Sequence, residues 1–125
     1  MGSEPLALWE AVRTGAVGRR RTFDGLVDQF LPGKYDPPAF ALRLAHKDVS
    51  LATQLARELG VPMRLAELAL AEMTEARNRG WESRDSRVPM LLQLERSGLS
   101  VAVEPKRIEA ALERDPPFKG DPKRS

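Results

Sequence analysis

The stretch that decides the fold is residues 41–80, ALRLAHKDVSLATQLARELGVPMRLAELALAEMTEARNRG. It contains two apolar runs at helical spacing, and a glycine stands at the end of each, Gly60 and Gly80. The runs are Ala45, Val49, Ala52, Ala56 and Leu59, then Leu65, Leu68, Ala69, Met73 and Ala76. Pro62 stands near the start of the second run, so the link is short and the pattern predicts two antiparallel helices. We expect both apolar faces to be buried, within the domain or in a dimer interface.

Further helices are predicted on both sides of this pair. Before it, a short helix follows a candidate N-cap at Ser3, and an amphipathic helix stops at Pro32-Gly33. The apolar stripe of that second helix consists of Phe23, Leu26, Val27, Phe30 and Leu31. After the pair, a helix capped by Ser86 is predicted over 86–98, and a last one runs from Pro105 to Pro116.

The fold class is therefore all-α, a multi-helix domain. Leu99, Val101 and Val103 alternate with small or polar residues, which allows at most one short extended segment. A chain of 125 residues can bury a self-supporting core, so we predict one helical domain over 1–117. The polar, basic segment 118–125 is expected to be a disordered tail.

Composition excludes several functions. The absence of cysteine removes disulfides, thiolate zinc sites and cysteine nucleophiles, and it favours the cytoplasm. No apolar run approaches the ~20 residues that span a bilayer, so no membrane association is expected. The 20 Lys and Arg are largely interleaved with the 18 Asp and Glu, and a helix-turn-helix over 54–70 would have an apolar recognition helix. We therefore expect no nucleic-acid partner.

His46 and the adjacent Lys47-Asp48 are the candidates for chemistry. His46 is the only histidine, and no carboxylate lies three or four residues away, so we expect neither a metal site nor a catalytic triad. Lys47 and Asp48 by themselves are typical of an exposed ion pair. The functional interpretation places the Lys47 ammonium on a ligand oxygen, with Asp48 as an orienting group and Phe40 nearby.

These residues carry a resemblance to a known family. Residues 40–52, FALRLAHKDVSLA, followed by ELGVP at 58–62, resemble the C-terminal domain of the beta-hydroxyacid dehydrogenases, which are 6-phosphogluconate dehydrogenase-like enzymes. The family includes 3-hydroxyisobutyrate dehydrogenase and tartronate semialdehyde reductase. The Phe-x6-Lys-Asp spacing is its most specific element, and Gly80 with Asp85-Ser86 resembles a weaker family pattern. The similarity extends from Leu6 to Leu94, and 98–117 resembles an extension that some members carry.

The resemblance implies an NAD(P)-dependent oxidoreductase acting on a small 3-hydroxy acid. In such enzymes an N-terminal Rossmann domain binds the dinucleotide, and the helical C-terminal domain closes the active site and supports dimerisation. Lys47 matches the family's cofactor-contacting lysine. Phe40 and Asp48 match positions that line the cleft near the nicotinamide and substrate.

Three family motifs have no counterpart in the 125 residues. They are the glycine-rich dinucleotide fingerprint, the Ser-Gly-Gly substrate segment and the Gly-x-x-Gly-x-Gly-x-x-x-Lys catalytic stretch. No catalytic residue is therefore assigned, and we expect the chain to need a Rossmann partner as well as to form a homodimer. Whether it is an enzyme stays open, and the alternative is a non-catalytic helical dimerisation or protein-interaction module.

Overall fold

The computed structural model describes residues 4–15 and 21–117, with the backbone alone for Arg21 and Thr22. The predicted N-cap at Ser3 and the tail 118–125 lie outside these residues. The described residues contain no β-strand, so the all-α prediction is confirmed. They form six α-helices, α1 Pro5–Arg13, α2 Arg21–Asp24, α3 Leu42–Glu58, α4 Arg64–Asn78, α5 Met90–Arg96 and α6 Pro105–Arg114, and a 3₁₀ helix, Gly25–Val27.

The chain divides into two compact units. The first is made of Met1–Lys34 and Val101–Ser125, and the second is Tyr35–Ser100. Each has its own apolar core, and the two cores share no residue. Among the described residues, no helix is long and apolar enough to cross a membrane.

In the first unit, the predicted continuous helix over Phe23–Leu31 is wrong. The chain instead forms the single turn of α2, the 3₁₀ helix and further turns up to Gly33. Gly25 lowers helix propensity at the break, and the backbone N–H of Leu31 donates to the carbonyl of Leu26, five residues back. Leu31 of the predicted stripe is nevertheless buried. The other four positions are partly buried against the core of Leu6, Trp9, Leu31, Val103, Ile108 and Ala111.

Gly33 brings the two chain segments of the first unit together. Its φ is +69°, and a Cβ built on it would lie 2.6 Å from the carbonyl oxygen of Val101. Next to this contact, two residues before Gly33 and two residues after Val101, the Val103 N–H donates to the carbonyl of Leu31 over 2.7 Å. The segment that the alternation at 99–103 marked as extended is therefore held by a backbone contact to residues 31–33, although it forms no strand.

In the second unit, the predicted helix pair is present, and its glycines end the helices as expected. Gly60 and Gly80 have φ values of +70° and +83°. After α3, the N–H groups of Gly60 and Val61 donate to the carbonyls of Arg57 and Ala56, which satisfies the last turn of the helix. Equivalent bonds follow α4 at Gly80 and α5 at Gly98. The helix predicted from Ser86 begins later, at Met90.

The predicted buried faces of α3 and α4 are only partly correct. Ala45 and Ala56 are buried, but Ala52 is exposed and Thr53 is fully buried in its place. On α4, Ala76 is buried, whereas Leu65 is 83% exposed and Leu68 is 62% exposed. After Leu42, small side chains therefore occupy the inner side of α3, and several large ones are exposed.

The core of the second unit forms at the opposite end of α4 from Leu65. It consists of Tyr35, Leu42, Ala76, Val88 and Leu92, with Met73, Trp81 and Leu91 packed against it. Since Leu42 belongs to the first turn of α3, this core places the beginning of that helix.

Candidate cofactor-contacting site

Lys47 and Asp48 lie in the second turn of α3. Their side chains are 61% and 59% exposed, and the Lys47 Nζ lies 3.2 Å from Asp48 Oδ1. An exposed pair of this kind contributes little to stability, since water competes for both charges. The lysine ammonium is therefore accessible to an external ligand.

The beginning of α3 is held by the loop that follows α4. Ala41 is extended, and the N–H groups of Leu42 and Arg43 donate to the carbonyls of Arg84 and Glu82 over 2.8 and 2.9 Å. These amides would otherwise be without partners at the helix start, where they could bind an anion. Because protein carbonyls accept from them, this end of α3 does not offer a phosphate cradle.

Phe40 lies in the extended segment directly before α3, with its side chain partly exposed. The Asp85 Oδ2 accepts from the backbone N–H groups of Ala39 and Phe40 over 2.9 and 3.3 Å. The N–H of Ser86 donates to the carbonyl of Phe40 over 2.7 Å. Phe40 is thus fixed by its backbone on both sides. Phe40 precedes the first turn of α3, and Lys47 and Asp48 form their ion pair in its second turn.

Asp85 is the residue whose role the sequence did not indicate. Its side chain is 1% exposed, and its Oδ1 accepts from the backbone N–H and the Nε of Arg87. A buried carboxylate is stable only when it is paired and hydrogen-bonded, and Asp85 meets both conditions. The sequence feature that pointed to Asp85 was the resemblance of Asp85-Ser86 to a weaker family pattern.

His46 joins α3 to α4. The Thr74 hydroxyl donates to the carbonyl of Leu70, so the His46 Nε2, 2.9 Å away, donates to Thr74 Oγ1. The Nδ1 then accepts from Arg77 Nη1 over 3.2 Å. Burial of the ring, and then the charge of Arg77, lower the pKa of His46 below its ordinary value. His46 is thus a partly buried side chain that links the two helices. The described residues contain no group of three or more His, Cys, Asp or Glu that could hold a metal ion.

The sequence matches a known protein family over most of its length. A family model described as the NAD-binding domain of NADP-dependent 3-hydroxyisobutyrate dehydrogenase matches residues 1–92, which is most of the chain. The chain belongs to this family. A search of curated proteins found no match. NAD(P) binding is the property that defines the 3-hydroxyisobutyrate dehydrogenase-type domain, and it agrees with the cofactor that the sequence predicted.

The Lys47 side chain presents an exposed hydrogen-bond donor. An ammonium with three N–H donors suits ribose or carboxamide oxygens, and Lys47 is exposed enough to reach them without desolvating a buried group. Two surface depressions lie elsewhere, one of about 220 Å³ beside Glu4 and Arg107, the other of about 470 Å³ beside Met63 and Leu65.

Proposed function

We propose that the chain is the helical C-terminal-type domain of an NAD(P)-dependent dehydrogenase of small 3-hydroxy acids. It works with a Rossmann domain, closes the active site over the cofactor and supports dimerisation. The observation that carries the proposal is the family match over residues 1–92 together with an exposed Lys47 on a helix whose beginning is fixed.

Each site residue has a proposed role. Lys47 donates hydrogen bonds to the ribose or carboxamide oxygens of the dinucleotide. Asp48 keeps the ammonium oriented through the 3.2 Å contact, and Phe40 covers the cleft near the nicotinamide with its exposed ring. The cofactor supplies the hydride chemistry when it is bound. The general acid for the carbonyl oxygen is a lysine of the catalytic stretch, which this sequence does not contain.

Reconstitution tests the proposal. The chain is produced alone and mixed with a separately produced Rossmann domain of the same family, and NAD(P)H absorbance is followed with small 3-hydroxy acids. We expect turnover in the mixture and none from the chain alone. Turnover by the lone chain would contradict the assignment of the catalytic lysine to the other domain.

Substitution of Lys47 tests the site within that mixture. Lys47→Ala should weaken cofactor binding about tenfold, which corresponds to about 1.4 kcal/mol for a lost hydrogen bond from a charged donor. Lys106→Ala removes another exposed lysine and is the matched control, with no change expected. Equal effects of the two variants in a calorimetric titration with NAD(P)H would show that Lys47 makes no specific contact.

A non-catalytic interaction module is the second candidate function. The observation in its favour is the set of large apolar side chains exposed on α3 and α4, together with the missing catalytic motifs. In that case the chain would associate with its partner without binding NAD(P), and Lys47→Ala would change nothing. The proposed compartment for either function is the cytoplasm, on the basis of the absence of cysteine.

A further inference from the structure

Arg43 is an exposed arginine in the first turn of α3, four residues before Lys47. Its backbone is held in place, because its N–H donates to the carbonyl of Glu82 over 2.9 Å. Among the described residues, no carboxylate pairs with its guanidinium. Arg43 therefore carries an unpaired positive charge at a fixed position beside the candidate cofactor-contacting site.

The other arginines of the second unit are nearly all paired. Six of them contact a carboxylate over 2.5 to 3.9 Å, and these are Arg57, Arg77, Arg79, Arg84, Arg87 and Arg96. Within Tyr35–Ser100, all of which the structure describes, Arg43 and Arg64 stand outside such pairs. Arg64 shares the first turn of α4 with Glu67, and the residue four positions after it is a leucine. Arg43 differs from Arg64 because a second cation lies four positions after it.

Arg43 and Lys47 lie next to each other on one side of α3. Residues four apart on a helix have their Cβ atoms about 5–6 Å apart. Asp48 contacts the Lys47 ammonium over 3.2 Å, but it is five positions after Arg43, which is about 140° around the helix. We name Arg43 and Lys47 the two-cation site. An anion between them can accept hydrogen bonds from both side chains.

The two-cation site is unfavourable for the helix itself. A cation in the first turn opposes the helix dipole, and α3 has no acidic residue in that turn. Like charges four residues apart also repel each other. A bound anion would reverse both effects, because negative charge is favourable near the start of a helix and each cation would gain a partner. The position of Arg43 therefore favours a role in binding over a role in folding.

Side chains must supply the donors at this end of α3. The backbone N–H groups of Leu42 and Arg43 already donate to the carbonyls of Arg84 and Glu82. The Glu82 carboxylate lies 3.9 Å from Arg77, so it has a cation of its own. A guanidinium has five N–H donors in a planar fork that matches two oxygens of a carboxylate or a phosphate, and an ammonium adds three more.

We infer that Arg43 binds, together with Lys47, an anionic oxygen group of the bound ligands, either the carboxylate of the 3-hydroxy acid or the diphosphate of NAD(P). The inference adds Arg43 to the binding residues, and it rests on the proposed function for the identity of the ligand. The two-cation site itself does not depend on that function. It is therefore tested first in the chain alone.

The first experiment titrates the full chain with inorganic pyrophosphate and follows its backbone amide signals by NMR. We expect the signals of residues 43–48 to shift, and Arg43→Gln to weaken the binding about three- to fivefold, as for a lost exposed ion pair. Arg64→Gln is the matched control, since it removes an exposed first-turn arginine without a second cation. Equal effects of the two variants, or shifts that are not centred on residues 43–48, would overturn the inference.

Thermal unfolding separates binding from folding. Arg43→Gln should leave the melting temperature unchanged or raise it, because it removes a cation from the first turn of α3. A melting temperature that falls together with pyrophosphate affinity would mean that Arg43 has a structural role, which contradicts the inference.

The second experiment uses the mixture with the Rossmann domain and identifies the anion. If Arg43 binds the substrate carboxylate, Arg43→Gln should raise the KM for the 3-hydroxy acid about tenfold and leave the Kd of NAD(P)H unchanged. If it binds the diphosphate, the Kd should rise instead. Arg43→Lys keeps the charge and should restore part of the loss in either case.

The outcomes distinguish this inference from the proposed function. Turnover in the mixture with the KM and the Kd both unchanged in Arg43→Gln would overturn the inference and leave the dehydrogenase assignment intact. A mixture without turnover would contradict the dehydrogenase assignment, and the pyrophosphate titration would still decide whether Arg43 and Lys47 bind an anion.

Discussion

The buried carboxylate of Asp85 accepts a hydrogen bond of 2.9 Å from the backbone N–H of Ala39, 46 residues earlier in the chain. The same carboxylate binds the N–H of Phe40 and, through its other oxygen, the N–H and guanidinium of Arg87. One side chain thus ties the segment before α3 to the loop after α4. The position of the candidate site depends on this tie, because Phe40 is part of that segment.

We predict that Asp85→Asn destabilises the chain. The amide retains one acceptor oxygen, and its NH₂ group would face either the Ala39 and Phe40 donors or those of Arg87. The expected decrease in the free energy of unfolding is about 2–3 kcal/mol, measured by urea denaturation. Glu82→Gln, at an exposed carboxylate 3.9 Å from Arg77, is the control and should cost less than about 1 kcal/mol. Equal costs would mean that Asp85 does not hold the loop.

We predict that Gly33→Ala is more harmful than Gly60→Ala. Both glycines have nearly the same positive φ, +69° and +70°, so both variants incur about 1–2 kcal/mol of backbone strain. At Gly60 a Cβ meets nothing within 4 Å, whereas at Gly33 it would lie 2.6 Å from the carbonyl oxygen of Val101. The backbone there must shift, so the melting temperature of Gly33→Ala should be clearly the lower of the two. Identical melting temperatures would refute the close approach of residues 33 and 101.

We predict that His46 makes the chain less stable as the pH falls. Its pKa in the folded chain is lowered, so the unfolded chain, near the ordinary value of 6.5, takes up the proton first. The contribution of His46 to the free energy of unfolding is therefore full above pH 6.5. It decreases as the pH falls through 6.5 toward the pKa of the folded chain. Protonation of Nδ1 would also end its acceptance of the Arg77 N–H and place two cations together.

Titration of the single histidine by NMR measures this pKa directly, without overlap from other histidines. Arg77→Gln removes the nearby charge and should move the pKa of His46 back toward its ordinary value, while the burial contribution persists. His46→Gln should abolish this part of the pH dependence of unfolding. A folded-state pKa above 6.5 would contradict the hydrogen-bond arrangement at Thr74 and Arg77.

We predict that Asp24→Asn destabilises the first unit. Arg13 is 1% exposed, its Nε lies 2.5 Å from Asp24 Oδ1, and its guanidinium lies over the Trp9 ring at 4.7 Å. Loss of the Asp24 charge leaves a buried cation with a weaker contact to Asp115 at 3.8 Å, at an expected cost of about 3 kcal/mol in chemical denaturation. Glu10→Gln, at the exposed partner of Arg114, should change stability by less than about 1 kcal/mol.

The sequence predicted the helices whose signals are local. Gly60, Gly80 and Gly98 end helices because a positive φ and the returning N–H bonds involve neighbouring residues. The helix predicted over Phe23–Leu31 failed as a helix because turn formation around Gly25 outweighed the apolar spacing. The apolar spacing still predicted which side chains pack on the core, although four of the five are only partly buried and the polar Asp24 and Gln29 are buried as well.

The faces of α3 and α4 could not be decided from the sequence. Each helix has apolar residues around much of its circumference, so periodicity alone does not say which side meets the core. The structure buries Thr53, because small side chains allow the two helices to approach each other. It exposes Leu65, because the core of the second unit forms around Ala76 and Leu92. The role of Asp85 could not be predicted for a similar reason. The backbone N–H groups that donate to its carboxylate belong to residues 45 and 46 positions earlier in the chain.

The sequence by itself determined the all-α class, the helix ends at glycines, the family, and the place of Lys47 and Asp48 on a helix. These follow from contacts within a turn or from a motif of adjacent residues. The tertiary structure alone decided that Asp85 anchors the segment of Phe40, that His46 is hydrogen-bonded between Thr74 and Arg77, and that Leu51, Leu55, Leu65 and Leu68 are exposed. Each of these depends on residues far apart in the chain, whose free energies of burial and pairing arise only when the helices pack.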